Sequence, residues 1–218
     1  MKKFSVFALF LLLLPHLCYS QDFKHEVYGG VSLPHIYYPE TSSQTGNSSD
    51  MILSGHLGIR LFQPISIAQN DNMFYASVGL AFSGKGYKTK NLYKLHKDVV
   101  ITGKAWSIDV PARFGYKFKV NKDISILAEL GFVGSFGLFG KWKDSFSGTN
   151  RSSGEYYNMD NRDPYGSQRI DAGLSGRAGI EFQRITASVG YDYGIVNMAG
   201  SPYHSKSRNI QISVGYLF

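Results

Sequence analysis

The final eleven residues of this 218-residue chain, Arg208 to Phe218, alternate without a break between two kinds of side chain. Ile210, Ile212, Val214, Tyr216 and Phe218 fall on one face of a strand, and Asn209, Gln211, Ser213, Gly215 and Leu217 on the other. A period of two describes a β-strand with one apolar and one small or polar face. A soluble sandwich that finished on such a strand would present an adhesive edge. A closed barrel in a membrane has no such edge, because its last strand pairs with its first and its outer face meets lipid. Tyr216 and Phe218 are therefore expected to act as a terminal signal for the barrel-assembly machinery, with an aromatic-girdle role as the alternative.

The opposite end of the chain reads as an export signal. Lys2 and Lys3 precede an apolar run from Phe4 to Leu14, Pro15 interrupts it, and Cys18-Tyr19-Ser20 supplies small residues for cleavage before Gln21. The expected division is a signal peptide over 1–20 and a barrel domain over 21–218. The run is shorter than the ~20 residues a helix needs to cross a bilayer. Cys18 is a weak lipoprotein site, because Leu17 stands where a small residue is wanted. As the single cysteine lies in the expected signal, the mature chain should have no disulfide to hold it.

Seven more segments alternate in the same way: about Glu26–Leu33, Ile52–Phe62, Met73–Ser83, Ala105–Phe118, Ile124–Leu138, Ile170–Phe182 and Ile185–Ile195. The connections differ in length. Pro34–Asp50, Gly84–Lys104, Phe139–Arg169 and Val196–Ser207 are long and polar, whereas Gln63–Asn72, Lys119–Asp123 and Gln183-Arg184 are shorter. This asymmetry, with fifteen Tyr, fifteen Phe, twenty-four Gly and a slightly negative mean hydropathy of −0.16, predicts an all-β fold. The expected form is an eight-stranded antiparallel up-and-down transmembrane β-barrel in a bacterial outer membrane, with both termini periplasmic and the long loops at the cell surface.

Charged residues sit opposite the apolar faces. Arg60, Asp109, Arg113, Glu129, Asp171, Arg177, Glu181 and Asp192 would face water in a soluble barrel, and the lumen in a membrane barrel. Arg60, Arg113 and Arg177 are expected to pair with several of Asp109, Glu129, Asp171 and Glu181, since a narrow lumen makes unpaired charge costly. Long side chains pointing inward predict a plugged lumen with no open pore.

Segment Ile108-Asp109-Val110-Pro111-Ala112-Arg113-Phe114-Gly115-Tyr116-Lys117-Phe118 carries a resemblance to a known family. It is similar to a strand of the PorT-like small outer-membrane β-barrel proteins, which has an inward proline before a Tyr-Lys/Arg-Phe ending. Leu130–Gly134, Ala178–Phe182 and Tyr191–Asn197 resemble that family's glycine-rich strands and its approach to the last outer loop. The resemblance implies the same barrel and, for some members, an accessory role in a protein secretion system.

Little in the sequence points to catalysis. Ser54 and His56 share a strand face and His204 precedes Ser205, which leaves an outer-membrane lipid hydrolase as a minor alternative. No histidine has a partner at metal-ligand spacing and no phosphate-cradling glycine motif occurs, so no catalytic, metal or cofactor residue is assigned. The expected function is a non-enzymatic barrel used for surface binding or a structural role. Its formal charge of +7 becomes +5 without Lys2 and Lys3. A basic run, Lys85, Lys88, Lys90, Lys94 and Lys97, together with Trp142, forms the candidate loop contacts. The expected partners are outer-membrane lipid and lipopolysaccharide, or a surface or secretion-system protein. Nucleic acid is not expected for an exported chain.

Overall fold

The computed structural model describes residues 24–37, 49–67, 72–90, 99–146, 149–156, 169–196 and 205–218. The expected signal peptide, Lys94, Lys97 and His204 lie outside these residues. The described chain forms β1 (Lys24–Tyr37), β2 (Ser54–Ile67), β3 (Met73–Lys90), β4 (Val99–Lys119), β5 (Ile124–Phe146), β6 (Thr149–Tyr156), β7 (Ile170–Phe182), β8 (Ile185–Gly194) and β9 (Lys206–Leu217). Every pairing is antiparallel. Eight strands close into a ring in the order β1-β2-β3-β4-β5-β7-β8-β9, and β9 returns to β1 from Glu26↔Leu217 to Tyr37↔Lys206. β6 stands outside the ring and, among the described residues, pairs with β5 from Gly140 to Phe146.

The alternation places the apolar side chains outside. Leu130 is 75 % exposed and Phe114 72 %, whereas Arg60 and Glu129 are each 2 % exposed. A water-soluble domain does not present a continuous apolar wall around a charged interior. Lipid around the wall accounts for both faces. Each end of the wall carries an aromatic belt. At one end lie Phe74 and Tyr116, with ring centroids 4.7 Å apart, and Tyr216 and Phe218, 5.0 Å apart. At the other, Phe82 and Trp106 stack at 4.7 Å and 3° and Phe139 lies beside Phe82.

The first of these ends holds the short turns. Asn121 Oδ1 accepts from the backbone N–H of Asp123 and Ile124, at 2.9 and 2.8 Å, and so sets the β4–β5 turn. The two-residue β7–β8 turn puts Gln183 at φ 53°, where a side chain is disfavoured. Gln183→Gly should therefore stabilise the folded barrel by up to about 1 kcal/mol, read as a higher urea midpoint with unchanged slope. Phe62, Tyr75, Leu127 and Leu217 form a small apolar plug inside this end, with Met73 packed against it.

The far end differs from the sequence reading. Stretches 84–104 and 139–169 read as loops, yet β3 continues to Lys90, β4 starts at Val99 and β5 runs to Phe146. The β3–β4 register continues from Lys85↔Ala105 to Lys90↔Val100. Buried apolar side chains continue along these polar segments. Ile101, Ala105 and Trp142 are all buried, at 2 %, 9 % and 8 % exposure. The result is a wall of β3, β4, β5 and β6 that continues past Phe136↔Ile170, the last pair between β5 and β7.

Candidate functional site

Four charged side chains from four strands close a ring across the lumen. Arg60 on β2 donates from Nε to Glu26 Oε2 at 2.9 Å and from Nη1 to Glu129 Oε2 at 3.2 Å. Arg177 on β7 reaches the other oxygens, with Nη1 3.4 Å from Glu129 Oε1 and Nη2 3.3 Å from Glu26 Oε1. Tyr75 donates to Glu129 Oε1 at 2.9 Å, and Thr186 donates to Glu26. Two carboxylates thus alternate with two guanidiniums, and each Glu oxygen has a donor. Charge buried at this depth is tolerable only when paired and hydrogen-bonded in this way. The Arg60 guanidinium also sits 5.1 Å from the Tyr28 ring centroid and 4.8 Å from that of Phe62.

A second layer adjoins the ring. Arg113 Nη1 is 3.8 Å from Glu129, and its Nε and Nη2 donate to Ser175 Oγ at 2.9 and 2.7 Å. Ser175 in turn donates to Asp192 Oδ1 at 2.6 Å. The other expected acids find different partners from the three arginines. Asp109 lies 3.2 Å from the Lys85 ammonium, Glu181 pairs with Lys117, and Asp171 accepts from Ser207. The stagger of the strands sets these pairings, because it fixes which inward side chains share a height. Sequence reasoning omitted Glu26, although its place two residues before the buried Tyr28 and next to the outward Val27 marked it as inward.

The loop-contact residues are also redistributed. Lys85 belongs to β3 and points into the lumen, donating to Ser135 Oγ at 3.4 Å as well as facing Asp109. Trp142 is buried inside β5 and presents no surface ring. Lys88 is half-buried on β3, opposite Thr102, and Lys90 is the last residue of that strand.

His56 is an inward residue too. Its Nδ1 lies 2.9 Å from Ser32 Oγ and its Nε2 2.8 Å from Ser213 Oγ, all three buried. Serine hydroxyls occupy both ring nitrogens, so among the described residues no carboxylate is hydrogen-bonded to the imidazole as in an esterase triad. Among the described residues, no cluster of His, Cys, Asp or Glu is arranged to hold a metal.

In sequence, the family described as outer membrane protein beta-barrel domain matches residues 19–200. No curated protein matches the chain. Among solved structures, Ail, the attachment invasion locus protein of Yersinia pestis, is similar at 14% identity and a TM-score of 0.43, over 91% of this chain and 100% of that one. Neisserial surface protein A is similar at 15% identity and 0.40, over 88% and 96%. The outer membrane enzyme PagL is similar at 13% identity and 0.44, over 89% and 99%.

Proposed function

Because the chain belongs to the outer membrane protein beta-barrel domain family, we propose that it is a non-enzymatic barrel whose working surface is the projecting wall of β3 to β6. In this reading the lumen stays closed, the long-loop end faces the cell exterior and both termini lie in the periplasm. The observation that carries it is strand length. β4 and β5 have 21 and 23 residues, where about 9–11 suffice to cross lipid. The surplus has its own buried side chains, Ile101 and Trp142, so it is a built surface. Its partners are lipopolysaccharide, another surface component or a secretion-system protein.

A finer kinship with PorT-like barrels rests on the segment 108–118 and would favour the secretion-accessory role. Against the lipid-hydrolase alternative, this reading weighs the burial of the His56 side chain.

A variant in which tight turns join Gly84 to Ala105 and Phe139 to Arg169 tests the reading, with cross-linking from intact membranes as the readout. Insertion with loss of the cross-linked partners supports the projecting wall as the working surface. Insertion with every cross-link retained overturns it, as does turnover of labelled lipid A by the purified wild type.

Tyr216 and Phe218 are proposed as the residues the assembly machinery reads. Deleting Phe218 should lower the inserted fraction in cells by about tenfold, a 1.4 kcal/mol effect, while refolding into detergent changes little. Equal losses in both assays would leave only the girdle role.

A further inference from the structure

We propose that Lys104, Lys141 and Lys143, on the outer wall of β4 and β5, bind the phosphate groups of an outer-leaflet glycolipid. All three side chains are exposed. The register stacks them: Trp106 lies opposite Phe139, Lys104 opposite Lys141 one step further, and Thr102 opposite Lys143 beyond that. Like charges directly across a pair of strands repel, so an anion between the Lys104 and Lys141 ammoniums relieves the pair. The acid nearest in register is Glu155 on β6, opposite Lys141 on its other side. Lys88 faces Thr102 from β3, and its backbone bridges to Asp50 on its other side.

Height on the wall selects the ligand. The stacked Phe82–Trp106 pair marks the boundary between hydrocarbon and headgroup. A step of two residues along a strand is about 7 Å. That puts the lysine pair at the depth of the phosphates on a glycolipid whose acyl chains lie along the aromatic wall. A soluble polyanion would have no use for that wall. The site goes beyond the proposed surface role, but it rests on the long-loop end facing outward.

Native mass spectrometry of the full chain in nanodiscs tests it, with bis-phosphorylated lipid A and its dephosphorylated counterpart as probes. The wild type should retain the phosphorylated lipid about tenfold better, a preference of about 1.4 kcal/mol. The triple variant Lys104→Gln, Lys141→Gln, Lys143→Gln should lose that preference, and the triple Lys→Arg variant should keep it. Lys122→Gln, at the short-turn end, serves as the control. A triple Gln variant that folds and keeps the preference overturns the site. If Lys122→Gln loses the preference and the triple variant does not, the orientation is wrong. Full displacement of the lipid by equimolar inorganic pyrophosphate overturns the glycolipid in favour of a free phosphate ligand.

Discussion

Glu129→Ala should lower the stability of the folded barrel by about 3–5 kcal/mol, the usual cost of removing one partner from a buried ion pair. The substitution leaves Arg60 and Arg177 with Glu26 as their shared acid and takes the acceptor from Tyr75. Arg113 keeps Asp192 at 3.9 Å. The measurement is the temperature at which the compact band on an unboiled gel converts to the unfolded one, checked by urea titration in lipid vesicles. Asp163→Ala, in a segment read as a polar loop, serves as the comparison and should shift neither. Equal shifts for the two variants would show that the ring of charge does not hold the barrel.

Leu130→Arg, one residue further along β5, should cost about 2–4 kcal/mol for the opposite reason. Leu130 sits midway along the outward apolar row Ile126, Leu130, Phe132 and Phe136, and is the most exposed of them. In water such a change would be neutral or favourable. In lipid it places a guanidinium at the depth where hydrocarbon tolerates it least. The same variant folded in detergent with a short apolar core should recover part of the loss. A Leu130→Arg protein as stable as wild type in vesicles would mean that this wall does not meet lipid.

The contrast between adjacent residues explains how much the sequence made legible. Two faces of opposite chemistry leave a period of two that survives in every ring strand, and β7 spans Ile170–Phe182 as read. Parity fails wherever a strand gains a residue. Between Trp106↔Phe139 and Ser107↔Gly137 the register slips, so Leu138 is extra. Even-numbered residues of β5 face out as far as Phe136, and odd-numbered ones from Phe139 onward, which turns Trp142 inward. Lys85 needed no such device. It continues the inward series of Ser77, Gly79, Ala81 and Ser83, and was misplaced only because its basic neighbours read as a loop. Lumen partners were illegible for another reason: they depend on how far each strand slides along its neighbour, which no local pattern records.

The closing seam joins more than two strand edges. β1 and β9 come from opposite ends of the described chain, and they meet where the Phe218 N–H donates to the His25 carbonyl at 2.9 Å. Glu26, on β1, finds Arg60 on the strand that follows it, but Arg177 and Thr186 belong to β7 and β8. A sheet assembled from β1 onward but not yet closed therefore carries an Arg177 that lacks one of its two acids. Such a half-built sheet is poorly suited to hydrocarbon, with an open edge and an incompletely neutralised interior. Closing the seam thus meets both demands at once: it pairs the open edge and brings Glu26 to Arg177 and Thr186.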